Sequence, residues 1–464
     1  MAPPRTLVRR LPVAYFGLSR SGGRPATSWR ALHNRSFACY FVGSVTSDFG
    51  TWLQNTAQVL LAYRLSHSVL VVGLVTCAQF SSPLVLGPWA GVMTDKFGGR
   101  RILFATQLTA AAFAGLMAAF AFTGDMHTRW LGCGAVASGL AFTFALPARN
   151  VTVRRLVPPD HIRPAFAMDS VSYNLGRAIA PPVSVLLVTT LGYGWAFAAN
   201  SMSFLVFAGC LVLAGHGQPT ERRERSQLRD GFRASVRDWR IGILLLMVAA
   251  VTVADDPVLV LGPALAGHLH VSLSWSGWFI AALGAGTVIG SILPSLHTPS
   301  IRLAATALAA LAVCMMAFVI SPWAWGCFFA AFGAGVTCLI ANSATRTVLA
   351  TRAGPAHEAS VMAVWAIAWA GSKPFASLSD GLLGSRIGVK WTGVLLAAPA
   401  LVPVLVLIAL AVVVVAVRKW KPPEGRWRAQ FLETLASFPW IKRAEELLVI
   451  APQAEIIEET PISV

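Results

Sequence analysis

Long apolar runs, each bounded by charged residues or Gly/Pro turns, dominate the chain from Ser36 to Val417. They lie near 36–62, 68–93, 102–123, 130–148, 165–190 and 194–215. A polar, highly charged stretch from Gly217 to Arg240 follows, and then runs near 241–266, 275–296, 302–320, 323–345, 359–384 and 391–417. A helix needs roughly 20 apolar residues to cross the hydrocarbon core of a bilayer. The pattern therefore predicts an all-α membrane protein with twelve transmembrane helices. Six spans, a long connector and six more spans is the division expected of two pseudo-symmetric transporter halves. The predicted organisation is a basic arm at 1–35, a first half at 36–215, a connector at 216–240, a second half at 241–417 and a tail at 418–464.

An internal repeat supports that division. Ala148, Arg149, Val151, Arg155, Pro158 and His161 align with Thr345, Arg346, Val348, Arg352, Pro355 and Glu358 at an offset of 197. Leu191, Gly192 and Trp195 align with Ile387, Gly388 and Trp391 at 196, and Arg177 falls on Lys373 at the same offset. The identities are few, but a nearly constant offset points to a parallel duplication.

Composition excludes an ordinary soluble protein: 56% of the 464 residues are hydrophobic and 12% charged, against about 25% charged in soluble domains. The net charge of +17 could suggest nucleic acid, but its distribution does not. Lysine and arginine fall mainly in the arm, the 94–101 turn, 149–163, 222–240 and the tail, whereas Arg64, Arg129, Arg386 and Lys390 lie on the other side. This is the positive-inside asymmetry, and it places both ends in the cytoplasm of a cell-membrane protein. The arm has arginines but no uninterrupted apolar stretch, which speaks against a cleavable signal peptide. Residues 425–448 could form an amphipathic helix on the anionic inner leaflet, or a solvated tail. The seven cysteines all lie inside apolar runs without paired spacing, as packing residues do.

Ionisable residues inside spans are costly and mark function by default. Asp48, Thr51, Asn55 and Gln58 recur at intervals of three and four, so they share one face of span one. Asp48 lies about 12 residues into the span, roughly 18 Å deep at 1.5 Å per residue. That suits a proton carrier or a binder of cationic solutes, the plain alternative being a satisfied helix–helix hydrogen bond. Span seven offers Asp255, Asp256 and Pro257. Adjacent residues point about 100° apart on a regular helix, so only one of the two carboxylates is expected to face a cavity. If the span ends early, both lie in an external loop instead. Pro257 removes a backbone hydrogen bond and permits a bend. Arg177 and Lys373 sit near mid-membrane in spans five and eleven, and their expected counter-ions are Asp48 with Asp255 or Asp256. Lysine can lose its charge where arginine practically cannot. Trp365 and Trp369, four apart, either stack planar or cationic substrates or simply pack. His268 and His270 read as an external loop rather than a zinc site. Nothing in the chain reads as an enzyme, a phosphate-binding loop, a metal centre or a cofactor site.

The turn Gly91-Val-Met-Thr-Asp95-Lys96-Phe-Gly98-Gly-Arg100-Arg101 resembles, at every fixed position, the loop between spans two and three of major facilitator superfamily transporters. The resemblance implies that Gly91, Asp95, Lys96, Gly98, Arg100 and Arg101 form a conformational latch. Asp95 would lie against the start of span eleven when the protein opens outward. Asn174-Leu-Gly176-Arg177-Ala-Ile-Ala-Pro181-Pro182 resembles a degenerate form of the span-five Gly-Pro motif of proton-coupled exporters, in which Pro181 and Pro182 would act as hinge residues. The arginine that many drug/proton antiporters carry within span four is missing from 130–148, which contains no charge. That absence shifts weight onto Asp48 and Arg177.

From Ser36 to Val417 the chain looks like the twelve-span, exporter-like branch that includes macrolide-efflux and siderophore-export proteins. Its echoes are Asp48-Phe-Gly50-Thr-Trp52-Leu-Gln54, Pro147-Ala-Arg149 and Asn174-Leu-Gly-Arg177. The resemblance implies proton-coupled efflux of hydrophobic small molecules by alternating access. Its partners would be a small-molecule substrate, protons and the lipid bilayer, with no nucleic acid and a monomeric working unit. A metabolite importer or uniporter, and a non-transporting scaffold or receptor, are the other readings of the same architecture.

Overall fold

The computed structural model describes residues 32–215, 238–293 and 299–419. Most of the arm, nearly all of the connector, and the tail from 420, including 425–448, lie outside the described residues. Among the described residues the chain is helical and contains no strand. The first six helices are α1 (Arg35–Ser66), α2 (Val69–Phe97), α3 (Gly99–Thr123), α4 (Thr128–Leu156), α5 (Ile162–Thr190) and α6 (Tyr193–Leu213). They are followed by α7 (Trp239–Asp255), α8 (Pro257–Val260), α9 (Gly262–His268), α10 (Ser274–Ile292), α11 (Ile301–Ile320), α12 (Ala324–Ile387), α13 (Val389–Ala397) and α14 (Val402–Lys419).

Nine stretches among the described residues are long and apolar enough to cross a membrane. Helix α1 is not one of them, because Ser44, Ser47, Asp48, Thr51, Gln54, Asn55, Thr56 and Gln58 crowd its middle. It survives inside the bundle because most of those side chains are buried against protein rather than lipid. Its start is fixed locally: the Asn34 side chain accepts from the Ser36 and Phe37 amides and donates to the Leu156 carbonyl at the end of α4. Gly98, with φ of 88°, holds a backbone conformation that L side chains rarely adopt, which lets α2 end and α3 begin on either side of a single residue.

Four boundaries differ from the sequence expectation, the first being the run 391–417, which is divided by a short 3-10 turn, Ala398–Leu401, that carries Pro399. Helix α4 does not stop near 148 but runs to Leu156. The charges after Pro147 are therefore part of a span-four helix, in which Arg149 is largely buried while Arg154 and Arg155 are exposed. The run 241–266 is not one helix. It ends at Asp255, and a new turn starts at Pro257, whose missing N–H and ring favour a first-turn position. Residues 346–358, expected as a loop, continue the helix without a break from Ala324 to Ile387.

Helix α2 lies along α12, and α5 lies along α10; these two contacts form a seam between the first six helices and the rest. The seam is tight toward the end of the bundle that carries the α1–α2 turn. A Cβ on Gly73 would stand 2.5 Å from the Ser377 carbonyl oxygen, and one on Gly284 would collide with the backbone of Arg177. Toward the opposite end of α2 one face of the helix opens up, while Ala90 and Thr94 on another face stay buried. Trp89, Val92 and Phe97 are exposed, and a Cβ on Gly87 or Gly91 would meet nothing within 4 Å.

Candidate functional site

Two buried charge networks lie in this frame. The first joins α1, α4 and α5. Arg149 makes a bidentate pair with Asp48, Nη1 to Oδ1 at 2.7 Å and Nη2 to Oδ2 at 3.0 Å, and Nη2 also reaches Asp169 Oδ1 at 2.9 Å. Such forked, charge-assisted contacts are the strong hydrogen bonds of proteins. Hydroxyls fill the remaining positions. Ser172 donates to Asp48 Oδ2 at 2.7 Å, Ser44 and Tyr40 donate to Asp169 Oδ1 at 3.1 Å each, and Arg149 donates to Ser44 Oγ at 2.6 Å. The close approach of α5 depends on Gly176, where a Cβ would stand 3.0 Å from the Asp48 carbonyl oxygen.

Asp48 is thus buried as expected, but its partner is Arg149, not Arg177. The arginine expected to be absent from span four is present, because α4 continues to Leu156 instead of stopping near 148 and carries Arg149 within it. Of the other stripe residues, Asn55 accepts from Gln79 of α2 at 3.1 Å, Thr51 donates back to the Ser47 carbonyl, and Gln58 is buried.

The second network crosses the seam. Asp255 receives Arg177 of α5 on Oδ2 at 3.1 Å and Lys373 of α12 on Oδ1 at 3.4 Å. The two cations related by the internal repeat thus converge on one carboxylate. Lys373 Nζ also meets Asp256 Oδ1 at 2.6 Å, and Ser377 donates to Asp256 Oδ2 at 2.6 Å. Both adjacent carboxylates therefore face the same ammonium, contrary to the regular-helix expectation. Asp256 keeps right-handed helical backbone angles where α7 gives way to α8, and the Lys373 ammonium reaches both carboxylates from α12. The external-loop alternative also falls, since Asp255 and Asp256 are 7% and 0% exposed. The cations are shielded from lipid by rings: Arg177 lies 5.4 Å over Trp52, and Lys373 5.9 Å from the centre of Phe80.

The Trp365 and Trp369 rings lie parallel at 6.3 Å between centroids, with the Arg346 guanidinium 5.0 Å over Trp365. In the latch sequence, Asp95 and Lys96 are exposed. Arg100 is bonded to the Leu211 and Val212 carbonyls at the end of α6, where a cation satisfies orphan acceptors of the helix C-terminus. Pro181 and Pro182 lie inside the continuous α5, and Pro257 directly follows the α7 break.

Sequence reasoning missed Tyr40, Ser44, Asp169, Ser172 and Asp380 as members of these networks and assigned Arg149 to a turn. A signal existed for two of them. Asp169 lies inside the run 165–190, and Asp380 follows Lys373 by seven residues, which puts both on one helix face.

Residues 26–450 match the transmembrane secretion effector family. The chain is 25% identical over 281 residues to the enterobactin exporter EntS of Escherichia coli O6:K15:H31, covering 58% of this chain and 65% of that protein. It is 23% identical over 256 residues to the uncharacterized MFS-type transporter YfiS of Bacillus subtilis, covering 52% and 60%. It thus spans less than two thirds of the length of these relatives. Among solved structures, a bacterial homologue of the human lysosomal transporter Spinster, inward-facing and unoccupied, superposes with a TM-score of 0.65 at 16% identity over 79% of this chain and 95% of that one. The nucleoside transporter NupG gives 0.66 at 13% identity over 83% and 100%. These likenesses establish the major facilitator fold of a multi-pass membrane transporter. The chain belongs to the transmembrane secretion effector family of major facilitator transporters.

Proposed function

We propose that the protein is a proton-coupled exporter of hydrophobic small molecules, working by alternating access as a monomer in the cell membrane. The observation that carries this reading is the second network: Arg177 on one side of the seam and Lys373 on the other both hold Asp255. The Arg177 contact spans the seam, so separation of α5 from α10 and α7 must break it, and protonation or substrate can set when it breaks. Asp48, Asp255, Asp256, Arg177 and Lys373 are the coupling charges in this reading. Thr51, Asn55, Gln58, Trp365 and Trp369 line the substrate path. Pro181, Pro182 and Pro257 serve as hinges.

Sidedness follows from the positive-inside distribution, which puts both termini in the cytoplasm. The tight end of the seam then faces outward, and the conformation is inward-open. The latch fits this state. Gly91 has no packing neighbour that demands a glycine, and Asp95 is exposed, as expected of residues whose contacts form when the cytoplasmic end closes. The enterobactin exporter among the relatives supports export as the direction.

The test is transport of a mixed panel of dyes and antibiotics into inverted membrane vesicles with an acid lumen. At least one panel member should accumulate, and a protonophore should abolish the accumulation. Equilibration without accumulation would identify a uniporter, and gradient-driven movement in the opposite direction an importer. A protein that moves no panel member and no labelled metabolite pool would be a scaffold or receptor.

A further inference from the structure

Asp380 is fully buried in α12. Among the described residues, no hydrogen-bond donor reaches either of its carboxyl oxygens. A buried charge without a donor is among the costliest arrangements a protein can hold, and the group is normally neutral instead. Lys373, Ser377 and Asp380 lie at intervals of four and three, on one face of the helix, and that face meets the α7–α8 break. The Asp380 carboxyl lies near Asp256, with Lys373 and Asp255 as its other charged neighbours. Arg177 reaches Asp255 from α5, and Cys338 of α12 lies beside Asp255, while Cys77 of α2 is a more distant titratable neighbour of Asp256.

Charge balance makes the same point. Asp255, Asp256 and Asp380 are three carboxyls, and Arg177 and Lys373 are two cations. With all five ionised the site would carry one uncompensated negative charge. A single proton neutralises it and supplies the missing donor. Among the described residues no group of three acidic, His or Cys side chains could hold a metal ion, which favours a proton over a metal cation. The location also gates access. Ser377 and Gly381, on either side of Asp380 in the chain, are among the points where α12 touches α2: a Cβ on Gly73 would stand 2.5 Å from the Ser377 carbonyl oxygen and 2.8 Å from Gly381 Cα.

We propose that Asp380 carries the exchangeable proton of the transport cycle, its neutral carboxyl donating to the Asp256 carboxylate while α2 is closed against α12. When α2 withdraws at the outer end, water reaches the site and supplies this proton, and after α2 has closed again the proton leaves toward the cytoplasm, the direction that drives export. The resulting carboxylate then competes with Asp256 for Lys373. This deepens the proton-coupled reading of the same network and rests on it.

The first test is infrared spectroscopy of the full chain in lipid at neutral pH, which needs no substrate. The wild type should show a protonated-carboxyl C=O stretch that Asp380→Asn lacks. Asparagine is close in shape to the neutral acid and can donate to Asp256, so the variant is expected to fold. Should it not, Asp256→Asn keeps Asp380 but removes one of the three carboxylates and its acceptor, and must shift or abolish the same band. A spectrum in which neither substitution touches such a band overturns the proposal. So does a band that disappears when sodium is added at constant pH, which would give the site to a metal cation. The second test is transport of a panel dye. Asp380→Asn should lose the accumulation driven by a pH gradient that the wild type shows. Equal gradient-driven accumulation by both proteins overturns the role of Asp380 and leaves the exporter reading standing. If the wild type itself shows none, the exporter reading fails, while the infrared band still decides where the proton sits.

Discussion

Replacing Arg149 by methionine is expected to destabilise the protein by about 3–5 kcal/mol, the usual cost of removing one partner from a buried ion pair. Transport should be lost with it. The guanidinium serves two carboxylates and a serine at once. Without it, Asp48 and Asp169 keep only hydroxyl donors from Ser44, Ser172 and Tyr40. Arg149→Lys should recover only part of the loss, because one ammonium cannot reproduce the bidentate geometry and still reach Asp169. Unfolding midpoints in detergent, followed for wild type, Arg149→Met and Arg149→Lys, check the order. A methionine variant as stable as the wild type would mean that the network is not what holds α1, α4 and α5 together.

Lys373→Met is expected to cost a similar amount, again about 3–5 kcal/mol, and to abolish coupled transport. It strands Asp256 beside Asp255 and leaves Arg177 as the sole cation of the seam network. Two outcomes separate this from general damage. Acidification should lessen the loss of stability, because protonating the stranded carboxyls removes the uncompensated charge. The double variant Lys373→Met/Asp256→Asn should be more stable than Lys373→Met alone, since the pair is coupled, yet should remain unable to couple. A double variant whose losses simply add would show that Lys373 and Asp256 act independently.

Much of this site was legible in the sequence. The depth of Asp48 in span one, the mid-membrane cations at repeat-related positions, and the acidic pair before Pro257 all mark the two networks. What failed was the pairing, and it failed for definable reasons. Hydropathy reports what a helix is embedded in, not where the helix ends. The charged stretch after Pro147 therefore looks like a loop, although α4 continues through it inside the bundle and delivers Arg149 to Asp48. The rule that neighbouring residues diverge by about 100° holds for an unbroken helix. It misplaced Asp256 because one long side chain from α12, Lys373, meets both diverging carboxylates. Asp380 shares a helix face with Lys373, but its neighbour Asp256 lies far earlier in the chain and only packing brings the two near each other.

Alternating access across the seam is the claim on which the rest depends, and one pair of cysteines tests it. A Cβ on Gly384 of α12 would lie 3.6 Å from the Cβ of Val69 in α2, within the roughly 3.5–4.5 Å that a disulfide requires. In Val69→Cys/Gly384→Cys, with each single variant as control, oxidation should form the bond and arrest transport, and a reductant should restore it. Transport that runs as fast with the bond formed as with it reduced would contradict the account, because the halves would then not need to part at this end.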